Sequence, residues 1–271
     1  MNHLPIQEII ELAALQKMRR TKTKIKLDPK NKPIMSATLE GEVEAALVQY
    51  EQHGLWKEWG MDYLREQGAC VLFAGPPGTG KTVIAKYMSK RVGRGFAALN
   101  MKDVGGKAPG QTERMVAEVF MNAKQKGNQT IFMDECEAIL WDRGRAGSDS
   151  MWMVGIIDEI LMQIASYKGL VVLATNRMEI VDTALLSRCF AVLQIGMPEH
   201  PERLRLWKQK LPDRFPFKPT AVQLDHLAEA ALSGREIELA IVKEASNAMV
   251  QKRNPNYASL MAMAKSLVVK H

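Results

Sequence analysis

The sequence has little cysteine and no long apolar run, and each absence excludes a class of protein. Its three cysteines, Cys70, Cys136 and Cys189, stand far apart, with no CxxC pattern and no paired histidines. This spacing argues against a zinc site and favours a reducing, cytoplasmic setting. No window reaches the roughly 18 consecutive apolar residues of a membrane-spanning helix, so we expect no membrane span. The N-terminus also lacks the basic start and apolar run of a signal peptide.

Positive charge is concentrated in one short segment. The formal net charge of the chain is +7 at pH 7. Residues 17–32 contain eight basic residues and one acid, Asp28, so the rest of the chain is neutral overall. Such a basic arm can contact nucleic acid, a membrane surface or an acidic partner, or it can be a solvated linker.

Short apolar runs alternate with helical patterns through the middle of the chain. With 271 residues, the chain can build one large core and a smaller satellite. The apolar runs predict buried strands at 69–74, 130–133, 169–174 and 191–195. Buried parallel strands that alternate with helices form a three-layer α/β sheet, which is the predicted fold class.

Helical patterns dominate both ends of the sequence. They predict helices at 3–20, 37–52 and 55–66, and again at 201–210, 220–231, 233–251 and 256–269. We interpret the last four as a small all-helical lid domain. The predicted organisation is an N-terminal helix and basic arm at 1–36, an α/β core at 37–198 and the lid at 199–271.

The segment after the first predicted strand has the pattern of a phosphate-binding loop. Residues 75–82 read GPPGTGKT, which satisfies GxxxxGK[ST] with a strand before it and a helix after it. Glycines let successive backbone N–H groups turn toward an anion, and the helix N-terminus adds partial positive charge. We expect Lys81 to reach the β- and γ-phosphates of a nucleotide and the Thr82 hydroxyl to bind Mg²⁺. The predicted nucleotide-binding residues here are Pro76, Pro77, Gly78, Thr79, Gly80, Lys81, Thr82 and Val83.

Polar residues follow the next two predicted strands where each strand ends. Asp134 and Glu135 come at the end of the run that begins at 130, and Asn176 follows the run at 169–174. The carboxyl ends of parallel strands face the same crevice, so we expect Asp134 to hold Mg²⁺ and Glu135 to polarise the attacking water. Asn176 could hydrogen-bond the γ-phosphate and that water, or it could simply begin a turn.

Together these motifs resemble the AAA branch of the AAA+ ATPases. GPPGTGKT is similar to the Walker A motif of that family, MDE at 133–135 to Walker B, and ATNR at 174–177 to the sensor 1 strand. DTALLSR at 182–188 resembles the segment that ends in the arginine finger, and LSGREI at 232–237 resembles the sensor 2 helix. The resemblance covers about residues 39–250. It implies a single-module P-loop ATPase that binds ATP and Mg²⁺ between the subunits of a ring, usually a hexamer.

The same resemblance implies roles for four further residues. Gly60 and Met61 fall where the linker of the family meets the adenine, and Arg188 would reach the γ-phosphate of a neighbouring subunit. Arg235 would act from the lid of the same subunit, although it could instead be a lid surface residue or part of a salt bridge. Many relatives have two arginines near the position of Arg188, whereas this chain has one, followed by Cys189 and Phe190.

The resemblance leaves the biological task open. Protein-threading relatives carry an aromatic residue in the central pore loop, but residues 105–110 read GGKAPG. A second loop at 143–153 offers Trp152, which could equally pack at the start of the next helix. The leading hypothesis is an ATPase that remodels or assembles a protein complex with an unidentified client. The alternatives are a nucleic-acid loader or transposition helper that uses residues 17–32, and a slow ATP-gated scaffold.

Overall fold

A computed structural model describes residues 32–51, 59, 69–103, 110–138 and 151–268, and within the last range the side chains from residue 155 onward. The predicted helices at 3–20 and 55–66, and the basic arm before Lys32, lie outside the described residues.

The core is a parallel sheet of five strands in the order β2-β3-β4-β1-β5. The strands are β1 (Ala69–Ala74), β2 (Phe96–Asn100), β3 (Thr130–Asp134), β4 (Leu170–Thr175) and β5 (Cys189–Gln194). The three central strands are almost fully buried, as their continuous apolar sequences predict. β5 begins two residues earlier than the predicted 191–195, because Cys189 already pairs with Cys70 of β1.

Helices cover both faces of this sheet. They are α1 (Ala37–Glu51), α2 (Lys81–Arg91), α3 (Gln111–Gln125), α4 (Met151–Ser166) and α5 (Thr183–Arg188). One face of the sheet packs on α1 and α2, through residues such as Leu47 and Met88. The opposite face packs on α3, α4 and α5, through residues such as Phe120 and Ile160. Successive strand residues alternate between these two clusters, as a pleated strand requires, and the predicted three-layer α/β core is confirmed.

The described chain beyond β5 is helical and has its own core. It contains α6 (His200–Lys210), α7 (Ala221–Glu229), α8 (Gly234–Val250) and α9 (Tyr257–Val268). The fully buried Trp207 packs in a cluster with residues of all four helices. Ser233 caps α8 through a reciprocal capping box with Glu236, which fixes where this helix begins. This supports the predicted helical region after the core, while the exact domain boundaries stay a prediction.

None of the helices in the described part of the chain combines the length and the apolar character needed to cross a membrane.

Candidate active site

The loop between β1 and α2, residues 75–80, is shaped by glycines at positive φ. Gly75, Gly78 and Gly80 have φ values of 153°, 81° and 102°. A Cβ on Gly75 would overlap the carbonyl oxygen of Ile195, and one on Gly78 would lie 2.7 Å from Ser233 Oγ. Gly80 is the N-cap of α2, so the loop leads directly onto a helix N-terminus. This geometry suits a phosphate group, because backbone N–H groups and the helix dipole converge there.

Lys81 turns its ammonium group back into this loop. The residue is only 7% exposed, and its Nζ donates to the carbonyl oxygens of Gly75 (2.6 Å) and Pro76 (2.9 Å). A third bond, of 2.8 Å, goes to Oδ1 of Asn176. Burial lowers the pKa of Lys81, while the nearby carboxylates of Asp134 and Glu137 act against that shift. The structure therefore holds a cation at the phosphate end of the loop.

The side-chain oxygens of Thr82, at the start of α2, and Asp134, at the end of β3, lie close together. Thr82 Oγ1 lies 3.5 Å from Asp134 Oδ2. Within the described ranges, no group of three or more His, Cys, Asp or Glu residues could hold a metal ion. Magnesium does not need such a group, because it keeps several waters and binds through one or two protein oxygens plus substrate phosphates. The hydroxyl and carboxylate fit Mg²⁺ in that manner.

Glu135 occupies an unusual backbone position directly after β3. Its φ is +56°, in the left-handed region that non-glycine residues rarely adopt. The carboxylate forms a 2.8 Å ion pair with Lys102, which lies just beyond β2. This contact, with smaller contributions from Asn100 and Arg235, lowers the pKa of Glu135. Glu135 is therefore held as a carboxylate, the form that a general base requires, and Lys102 is a site residue that the motifs did not reveal.

Asn176 lies between the loop and a second carboxylate that the motifs also did not reveal. Its Oδ1 accepts from Lys81, and its Nδ2 donates to Oε1 of Glu137 at 2.7 Å. Its backbone N–H donates to Oε2 of Glu137 at 3.2 Å. The side chain of Asn176 is therefore fixed in the site rather than directed into a surface turn.

The two predicted arginines occupy different places. Arg235, near the start of α8, lines the same cavity as the loop, and its backbone N–H donates to the carbonyl oxygen of Gly78 (3.4 Å). Its charge also contributes to the lowered pKa of Glu135. Arg188 is the last residue of α5 and is not part of the lining of this cavity.

A cavity of about 720 Å³ joins the phosphate loop to the lid helices. Its lining includes Pro77 to Val83 of the loop and α2, together with Asp134, Glu135 and Asn176. The lining also includes Ile34, Met35 and Ser36, and Leu206 and Gln209 of α6. The carbonyl oxygen of Met35 accepts from Arg205 Nη2 (2.8 Å), which ties this N-terminal segment to the lid.

Several predicted positions cannot be placed in this cavity. Gly60, Met61, the loop at 105–109 and the loop from 143 to 150 lie outside the described residues, as does the side chain of Trp152. Residues 34–36 form the cavity wall that sequence reasoning missed. The sequence Ile34-Met35-Ser36 carries no motif that could have identified them.

Comparison with known proteins places the same residues in a family context. Residues 71–197 match the family described as "ATPase family associated with various cellular activities (AAA)". The chain is 33% identical over 179 residues to the ATPase family gene 2 protein of Schizosaccharomyces pombe, an alignment that covers 65% of this chain and 22% of that protein. It is 32% identical over 185 residues to the cell division cycle protein 48 homolog of Archaeoglobus fulgidus, which covers 65% and 24%.

A third relative is the peroxisomal ATPase PEX6 of Komagataella pastoris, 30% identical over 169 residues, covering 59% of this chain and 14% of that protein. The chain therefore spans less than a quarter of the length of each of these relatives. The matched region contains the phosphate loop, Asp134, Glu135, Asn176 and Arg188. The family and the names of the relatives support ATP hydrolysis as the chemistry of this region.

Proposed function

Because this chain belongs to the AAA family of ATPases through residues 71–197, we propose that it binds ATP with Mg²⁺ and couples ATP hydrolysis to remodelling or assembly of a protein complex. One observation carries the nucleotide chemistry. The ends of β1, β3 and β4 bring Lys81, Asp134 and Asn176 to one edge of the sheet, around one cavity. That cavity, about 720 Å³, is in the size range of ligand pockets, roughly 300–1,000 Å³.

The loop and its lysine bind the phosphates. Backbone N–H groups of residues 78–82 and the N-terminus of α2 attract the anion, and Lys81 supplies a full positive charge beside it. Thr82 and Asp134 would hold Mg²⁺ through their side-chain oxygens. A bound Mg²⁺ would supply charge neutralisation between the phosphates.

The hydrolytic step requires a base and a hydrogen-bonding group near the γ-phosphate. Glu135 is ionised and can accept the proton of an attacking water once it parts from Lys102. Asn176 places its amide beside Lys81, where it can position that water and the γ-phosphate. Arg235 adds a positive charge from the lid as negative charge develops on the transferred group.

The proposal also includes a ring of subunits and a protein client. Arg188 lies away from the cavity of its own subunit, which supports a role at the phosphates of a neighbouring subunit in a ring, usually a hexamer. Two of the relatives are named as a cell division cycle protein homolog and a peroxisomal ATPase; the names state no client, and a protein client is part of the proposal. The cysteines of the described residues are free thiols, which agrees with a reducing, cytoplasmic setting.

A pair of variants tests the nucleotide chemistry in the whole chain. Lys81→Ala removes the phosphate-binding cation and should abolish ATP binding. Glu135→Gln keeps the shape of the base and should bind ATP normally without turning it over, since only the chemical step is lost. Affinity for a fluorescent ATP analogue and phosphate release measure the two effects. Equal ATP affinity in wild type and Lys81→Ala would refute the site.

A further inference from the structure

Glu137 contacts Asn176 at two points. It lies in the short 3₁₀ turn Cys136–Ala138, just beyond Glu135. Oε1 accepts from the side-chain Nδ2 of Asn176 at 2.7 Å, and Oε2 accepts from its backbone N–H at 3.2 Å. Both oxygens of one carboxylate are therefore directed to a single residue 39 positions further along the chain.

This pair of bonds determines which way the Asn176 amide faces. The oxygen and nitrogen of an amide are nearly equal in shape, so hydrogen-bond partners decide its orientation. An ionised carboxylate only accepts hydrogen bonds, and it therefore selects Nδ2. Oδ1 must then face the opposite side, where Lys81 Nζ donates to it at 2.8 Å. Glu137, Asn176 and Lys81 form a chain in which each donor meets an acceptor.

Pairing of the strands does not account for this contact. The pairing of β3 with β4 runs from Ile131 with Val171 to Met133 with Leu173. Glu137 and Asn176 lie beyond the end of that ladder, at the edge of the sheet that carries the site. The pairing of β3 with β4 therefore does not need Glu137. The orientation of the Asn176 amide does need it.

We propose that Glu137 is a positioning residue for ATP hydrolysis, which orients the amide of Asn176 beside Lys81 and toward the γ-phosphate. Lys81 itself is also held by the carbonyl oxygens of Gly75 and Pro76, so its contact with the β-phosphate does not depend on Asn176. This inference rests on the proposed ATPase function. Glu137 does not line the cavity, so it acts through Asn176. Its loss should therefore impair recognition and cleavage of the γ-phosphate while leaving the contacts to the α- and β-phosphates in place.

The main test variant is Glu137→Gln, which keeps the length of the side chain but replaces one acceptor with a donor. We expect kcat to fall by about 10- to 100-fold, the usual effect of losing a residue that orients a site ligand. ADP affinity should stay within about 2-fold of wild type, because ADP lacks the γ-phosphate, while affinity for a non-hydrolysable ATP analogue falls. Asn176→Ala should show the same pattern, and the double variant should be hardly worse than either single one.

Glu118→Gln is the matched control for loss of one carboxylate, because Glu118 is exposed on α3 and does not line the cavity. It should leave kcat and both affinities unchanged. If Glu137→Gln does not fold, as judged by circular dichroism, Glu137→Asp keeps the charge but withdraws the carboxylate by about 1.5 Å, one C–C bond. It should give the same pattern in weaker form.

The outcomes separate this inference from the proposed function. A Glu137→Gln protein that matches wild type, while Asn176→Ala lowers kcat, overturns the positioning role alone. Equal losses of affinity for ADP and for the ATP analogue also overturn it, since they indicate a general structural role. So does a double variant in which the kcat effects of Glu137→Gln and Asn176→Ala multiply, because the two residues then act independently. Wild-type protein that binds neither nucleotide overturns both proposals.

Discussion

The contact between the phosphate loop and the lid can be tested by adding one methyl group at Gly78. A Cβ at this position would lie 2.7 Å from Ser233 Oγ and 3.0 Å from Arg235 Cβ. The φ of +81° adds backbone strain for any L-residue, about 1–2 kcal/mol. Forcing an extra carbon into the lid contact costs about 1–3 kcal/mol more. We therefore expect Gly78→Ala to lower the free energy of unfolding by about 2–5 kcal/mol, the sum of these two contributions.

Gly80→Ala separates the two contributions. Its φ of +102° imposes a similar strain, but an added Cβ meets no atom of the described residues within 4 Å. Urea denaturation followed by circular dichroism should show Gly80→Ala destabilised by about 1–2 kcal/mol only. Equal destabilisation by the two substitutions would refute the close packing of the lid on the loop.

Ser233 supplies a second check on the same contact. Ser233→Ala alone should cost about 0.5–2 kcal/mol, because it removes the N-cap of α8. In the Gly78→Ala background it also removes the hydroxyl that the new Cβ would meet, so its cost should be smaller. A double-mutant cycle with no interaction energy would place the lid elsewhere.

Two further predictions concern the reaction itself. Lys102→Met removes the largest contribution to the lowered pKa of Glu135, so that pKa should rise and the acid limb of kcat should move to higher pH; an unchanged pH profile would show that the ion pair does not matter in turnover. Arg188→Ala should bind ATP yet hydrolyse it about 10³-fold or more slowly, and mixing it with Glu135→Gln protein should partly restore activity, because some interfaces then hold both residues. If mixed rings form and stay inactive, Arg188 does not act across the interface.

Much of the fold could be predicted because the strands next to the site are apolar throughout. β1, β3 and β4 are buried on both faces, so their sequences are continuous apolar runs that stand out from the amphipathic helices. β2 (Phe96–Asn100) was not among the predicted strands. It is an edge strand with only partly buried residues, and its short sequence FAALN fits more than one type of structure.

Some residues of the site could likewise be predicted from the sequence, and others could not. The phosphate loop could be found because its chemistry depends on glycines at fixed spacing, which three positive φ values in the structure reflect. Lys102 and Glu137 have no such spacing. Their partners, Glu135 and Asn176, are 33 and 39 residues away, and only the order and register of the strands brings each pair together.

Strand order also explains why Asn176 occupies the centre of the site. β4 lies between β3 and β1, and neighbouring strands are spaced about 4.8 Å apart, so the ends of β3 and β1 are separated by roughly 10 Å. A side chain at the end of β4 can therefore reach groups on both sides, and Asn176 contacts Glu137 beyond β3 and Lys81 beyond β1. An amide suits this position better than a carboxylate or an ammonium, because it donates to the acid on one side and accepts from the cation on the other. A substitution to Asp would direct a second carboxylate at Glu137, and one to Lys would direct a second cation at Lys81.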